Sequence, residues 1–254
     1  MSFRNRSTRF PVGMLVATCA VVAVAVTSGC TVWRVNQAMQ LARQSEPFEV
    51  APPAARARLL VVGDSTGVGT GAQDGSASVA GLIARDHPGL AIVNRSRDGA
   101  RIADMAAQLQ SVGTQRFDLV LVMGGGNDVI RLTPDDALRA DIARVLAEAS
   151  ARADTVLFMP AGNVGNAPFF FPPWSWLMSQ RARQLHAAVR ELSAQTGAVY
   201  VNLYQDRADD PFAKEPDRLH AKDGLHPSEA GYALWYEQLK AQAGLAGRLA
   251  KLKS

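Results

Sequence analysis

Five short apolar runs recur along the chain, at about 58–63, 90–94, 117–123, 155–160 and 198–203. In Leu119-Val120-Leu121-Val122-Met123 no polar residue alternates with the apolar ones, so a strand formed there must be covered on both faces. Helical stretches separate the runs, at about 76–86, 101–112, 134–152, 175–196 and 227–243. Alternation at this spacing predicts an α/β fold: a five-stranded parallel sheet between two layers of helices. In such a sheet, ligands bind beyond the carboxyl ends of the strands. The residues that close each run therefore carry the search for function.

Of the chain's 254 residues, 58–245 make one domain by this reading, followed by a short tail over 246–254. Residues 34–57, polar and then rich in alanine and proline, read as a tether or a short helix plus linker. Formal charge is +4, but the excess sits at the front. Residues 1–50 hold five arginines and two acids, whereas 51–254 hold 22 basic and 21 acidic groups. A domain so nearly neutral is not built for nucleic acid.

Arg4, Arg6 and Arg9 precede an uncharged apolar stretch, Met14 to Trp33. Its core has signal-peptide length and its full span approaches bilayer length. Arginines ahead of it would stay cytoplasmic and send the domain outward. Residues 1–33 thus read as an uncleaved signal anchor, a lipoprotein signal ending at Cys30, or a cleaved secretory signal. In the first two cases the membrane is a partner, and the domain lies in the cell envelope outside the cytoplasm (periplasmic). With the third it is secreted. Thr27 stands where a lipoprotein signal usually has leucine. Both cysteines, Cys19 and Cys30, fall in this stretch, so the domain has no disulfide, thiol nucleophile or cysteine metal site.

The first run closes on Gly63-Asp64-Ser65. A serine here can be a helix cap, or a nucleophile if a base and an orienter reach it. Gly67-Val68-Gly69-Thr70-Gly71-Ala72 has the spacing of a dinucleotide-binding turn. However, it starts four residues past the run, and Asn94-Arg95 stand where an acid would hold a ribose. The third run closes on Gly124-Gly125-Gly126-Asn127-Asp128, glycines that allow close backbone approach. Of the four histidines, only His226, in Asp223-Gly224-Leu225-His226-Pro227, has an aspartate three residues before it and a proline after. Pro227 is suited to open a helix and leave His226 in the loop before it.

These segments, with Asn94-Arg95-Ser96-Arg97-Asp98-Gly99, resemble in order the four blocks of the GDSL, or SGNH, family of serine esterases and lipases. The resemblance covers roughly residues 58–243 and implies a flavodoxin-like SGNH hydrolase fold. It implies a Ser65–His226–Asp223 triad working through an acyl-enzyme, with the Ser65 and Gly99 N–H groups and the Asn127 amide as oxyanion hole. It implies ester hydrolysis on a small-molecule or acyl-chain ester, with no metal or organic cofactor; Asp128 reads as structural. A deacetylase or O-acyltransferase acting on envelope polysaccharide is the alternative. The aromatic stretch 166–174, with Phe169-Phe170-Phe171, reads either as a flap on the core or as an apolar pocket wall. Arg95, Arg97 and Arg101 cluster around Gly99 and read either as an attraction for an anionic substrate or as solvated surface charges.

Overall fold

A computed structural model of the protein describes residues 32–245, 247 and 248. The signal expected over 1–33 lies outside these except for its last two residues, as does most of the tail over 246–254. Among the described residues, no helix is long and apolar enough to cross a membrane.

Five parallel strands form the sheet: β1 (Ala57–Gly63), β2 (Leu90–Asn94), β3 (Leu119–Gly124), β4 (Thr155–Pro160) and β5 (Val199–Tyr200), in the order β2-β1-β3-β4-β5. That order is the flavodoxin-like doubly wound one, with its switch point between β1 and β3. Helices flank it: α1 over 32–44, α2 (Ser65–Val68), α3 (Val79–Asp86), α4 (Ile102–Gln110), α5 (Gly126–Ile130), α6 (Asp135–Ser150), α7 (Trp174–Thr196), α8 (Pro211–Lys214), α9 (Pro216–Leu219) and α10 (Glu229–Ala243).

Successive residues of a strand point to opposite faces, so the unbroken apolar runs feed two cores. Leu60, Val62, Val120, Val122 and Phe158 pack under α4, α6 and α7 with Ile102, Leu146 and Leu185. Leu59, Val61, Leu121, Met123 and Leu157 face the other way, toward Ile83 of α3 and Tyr236 and Leu239 of α10. Each fully buried aliphatic side chain contributes about 1.5–3 kcal/mol. The strand ends are thereby held rigidly along one rim.

Strand β5 is shorter than the run expected over 198–203. It pairs only Val199 and Tyr200 with β4. Beyond them the Val201 N–H still donates to the Phe158 carbonyl of β4 at 2.9 Å, and the Asn202 N–H turns to Gln242 Oε1 at 2.7 Å. Val201 and Leu203 remain buried. Past Val201, apolar alternation records burial, not ladder pairing.

The stretch 34–57 is a helix followed by an extended segment, and both lie against the domain. Val50 forms an antiparallel bridge with Ile92. Glu49 Oε1 accepts the Asn94 N–H at 2.8 Å and pairs with Arg95 at 2.5 Å.

Candidate active site

Strand β1 ends in a sharp turn that Asp64 builds. Its Oδ1 accepts the Thr66 N–H at 2.9 Å, capping α2, and its Oδ2 accepts the Gly125 N–H at 3.0 Å from the end of β3. A single carboxylate thus ties together the two strand ends at the switch point. Burial pushes this carboxyl above its usual range, against the pull of the Thr66 hydrogen bonds, His226 and the Gly125 N–H. Gly124 is glycine for this reason: a Cβ there would lie 2.6 Å from the Asp64 carboxyl, and its φ is +141°.

Ser65 is the first residue of α2, so its N–H has no intrahelical acceptor. Its Oγ lies 2.9 Å from His226 Nε2, although 161 residues separate the two. The other ring nitrogen, Nδ1, lies 2.5 Å from Asp223 Oδ2. Oδ1 of the same carboxylate accepts the Leu225 and His226 N–H groups at 2.9 and 3.1 Å. Burial would raise this carboxyl. The His226 hydrogen bond and charge, together with the two backbone donors, outweigh it and hold Asp223 below the ordinary value. A carboxylate beside Nδ1–H leaves Nε2 as the acceptor for a proton from Ser65. The arrangement can deliver an alkoxide-like oxygen to a carbonyl.

The loop carrying His226 is braced from both sides. Ala221 N–H donates to the His226 carbonyl at 2.8 Å, and His220 bridges Pro227. Helix α10 starts at Glu229, two residues later than expected. The cap is Ser228, whose Oγ accepts the Gly231 N–H, and Pro227 lies in the extended bridge before it.

Gly99 and Asn127 line the same cavity as Ser65 and His226, a space of about 520 Å³. Asn127 Nδ2 donates one hydrogen to the Ala100 carbonyl at 3.1 Å; an amide nitrogen has a second to give. Asp128 serves structure. Its Oδ2 accepts the Ile102 N–H at 2.9 Å and its Oδ1 the Thr133 hydroxyl at 3.0 Å.

The remaining sequence features find other places. Asn94 donates to the Gly67 carbonyl at 2.9 Å and steadies the glycine turn. Phe169 lines the cavity, Phe170 packs against the core, and Phe171 is half exposed beneath the Arg34 guanidinium. The 166–174 stretch is thus both wall and flap. Arg95 is paired with Glu49. Arg131, whose approach to Gly99 the sequence did not suggest, also lines the cavity. His220 lies in the cavity wall against Phe212, and burial pushes its imidazole below the ordinary value. Among the described residues, no group of three or more His, Cys, Asp or Glu side chains is placed to hold a metal ion.

Gln108 is a further residue the sequence left unmarked. From the buried face of α4 its Oε1 accepts the Gly63 N–H at 2.8 Å, and its Nε2 donates to the Gly63 carbonyl at 2.9 Å. The peptide two residues before the serine is clamped by a side chain. A glutamine within the apolar stripe Ile102, Met105, Ala106, Leu109 was the available signal.

A strand-end serine and its histidine, set at the rim of a doubly wound sheet, fit a class of hydrolases. The sequence profile of the family described as GDSL-like Lipase/Acylhydrolase matches residues 61–234. The chain belongs to that family and is a serine ester hydrolase. Solved structures share the fold. LAE5, an alpha/beta hydrolase enzyme from the metagenome of Lake Arreo, Spain, is 22% identical over 75% of this chain and 96% of its own, with a TM-score of 0.57. TesA is 23% identical over 73% and 97%, TM-score 0.57. A catalytic mutant of Axe2, an acetylxylan esterase from Geobacillus stearothermophilus, is 21% identical over 76% and 97%, TM-score 0.56. A search of curated proteins finds no match.

Proposed function

We propose that the protein hydrolyses carboxylic esters through an acyl-enzyme on Ser65, as an exported enzyme of the cell envelope. The observation that carries this reading is the continuous chain Ser65 Oγ–His226 Nε2, 2.9 Å, and His226 Nδ1–Asp223 Oδ2, 2.5 Å. Ser65 attacks the ester carbonyl as His226 takes its proton. Asp223 fixes the tautomer and stabilises the imidazolium, and His226 then returns the proton to the leaving alcohol. The Ser65 and Gly99 N–H groups and the Asn127 amide hold the oxyanion. Water, activated by the same histidine, releases the acid.

A fluorophosphonate probe should label the protein and fail to label Ser65→Ala. That variant should lose on the order of 10⁶ in kcat, and Asn127→Ala roughly 10²–10³. Retention of near-parental hydrolysis by Ser65→Ala would overturn the reading.

The acetylxylan esterase among the structures of like fold raises a second reading: deacetylation or O-acyl transfer on envelope polysaccharide. The same three residues would serve it. The apolar side chains around the cavity, Ile130, Val164, Phe169 and Leu225 among them, favour an acyl chain over a glycan. Export rests on the sequence of residues 1–33 alone. Protease applied to intact spheroplasts should remove the domain if it stands outside the cytoplasm, and leave it intact otherwise.

A further inference from the structure

Helix α1 lies outside the family-matched residues 61–234, yet it contributes to the cavity beside Ser65. Val35, Ala38, Met39 and Ala42 all line that cavity. Their spacing, i, i+3, i+4, i+7, sets them on one face of the helix. Ile130, Val164, Phe169 and Leu225 line the same cavity. Apolar side chains from distant parts of the chain thus line the cavity that holds Ser65.

The helix is fastened at both ends. Near its start the Arg34 guanidinium donates to the Pro168 carbonyl and lies 4.9 Å over the Phe171 ring, on the segment that also presents Phe169. Beyond its end, Glu49 and Val50 join β2. Despite this anchoring, Val35 and Met39 are 40% and 44% exposed. A helix face of that composition normally finds a core. Here it faces a cavity, and an apolar ligand would complete the burial.

We propose that α1 is the acyl-chain wall of this enzyme, that its substrates are esters of apolar acids several carbons long, and that Ala38 and Ala42 leave the space the chain occupies. The proposal rests on Ser65 being the nucleophile and deepens that reading. Hydrolysis needs nothing beyond ester and water. The acyl carbon passes from the leaving alcohol to Ser65 Oγ and then to water, with its chain lying along α1.

The test is kcat/KM on p-nitrophenyl esters from acetate to dodecanoate, using the full chain. For the parent, each methylene that enters should raise kcat/KM about 4-fold, the equivalent of ~0.8 kcal/mol per buried methylene. In Ala38→Trp and Ala42→Trp the indole fills the space, and the octanoate-to-acetate ratio should fall at least about 10-fold. Should a tryptophan variant fail to fold, Met39→Ala carries the test: it removes wall without adding bulk, and its ratio should fall about 4-fold or more. Ratios equal to the parent's, or a parent that prefers acetate, overturn the proposal. Fluorophosphonate labelling of the same variants separates the two readings. A parental chain-length profile with labelling lost in Ser65→Ala sinks only the role of α1. Labelling and hydrolysis that survive Ser65→Ala sink the nucleophile as well.

Discussion

Gly63 is held by a side chain where a strand end would ordinarily be left to water. Both its backbone groups are bonded to Gln108, and its carbonyl also accepts from the Arg97 N–H. Gln108→Leu leaves the buried Gly63 N–H unpaired while the carbonyl keeps the Arg97 N–H, which costs about 1–3 kcal/mol. The serine two residues on should then lose its aim. Expected in steady-state kinetics is a fall in kcat of roughly 10–100-fold with KM little changed; a variant whose only defect is a lower Tm would leave Gln108 a purely structural part. Asp223→Asn should keep the fold and lower kcat by about 10⁴, because an amide can hold the imidazole in the wrong tautomer. Retention of kcat within 10-fold would remove Asp223 from the mechanism. At this scale the sequence was informative where a motif exists. Ser65, Asp223 and His226 stood out by their neighbours, whereas Asp64 and Gln108 act through backbone contacts, and only Gln108's place in an apolar stripe hinted at its role.

Helix and strand boundaries show which forces act locally. The long buried runs appear within a residue or two of their expected places, since period and length alone specify a doubly covered strand. β5 is the exception. It is an edge strand, and past Val201 its backbone leaves the sheet for Gln242 while its side chains stay in the core. The start of α10 also moved, because a capping hydroxyl at Ser228 outweighs a proline suited to the first turn. The glycine run after Ser65 supports the loop of His226. A Cβ on Gly71 would lie 2.4 Å from the Pro227 carbonyl and 3.1 Å from His226 Cβ, at φ +101°. Gly71→Ala should cost about 1–3 kcal/mol from backbone strain, and it should displace the imidazole from Ser65. Thermal unfolding together with fluorophosphonate labelling rate checks both. Unchanged labelling would show that the loop yields without moving the histidine.

Across the whole molecule, His186 joins three elements. From α7 its Nε2–H donates to the Ala161 carbonyl beyond β4, and its Nδ1 lies 2.7 Å from the Tyr200 hydroxyl of β5. Burial pushes this imidazole from 6.5 down to about 4. Above pH 6.5 both folded and unfolded forms are neutral, and the contribution to stability is complete. As the pH falls toward 4, the unfolded chain takes up a proton that the fold refuses, and stability is lost. The loss amounts to about 3 kcal/mol. Between pH 7 and 4 the parent should therefore lose about 3 kcal/mol more stability than His186→Gln in urea titrations. Parallel pH profiles for the two would refute the linkage. His220, also lowered by burial, acts in the same direction, whereas buried carboxyls such as Asp64 and Asp128 are pushed up by their own burial and oppose it.

The order of strands and helices, the doubly covered sheet and the identity of the residues at its carboxyl rim were all written locally. Apolar period, glycine and proline positions and short motifs act over a few residues and survive reading in one dimension. The 2.9 Å contact between residues 161 apart, the clamp on Gly63 and the placement of α1 along the cavity were decided by packing. They depend on which faces meet once two cores have closed, and a half-apolar helix after an uncharged stretch reads the same whether it hangs free or walls a pocket.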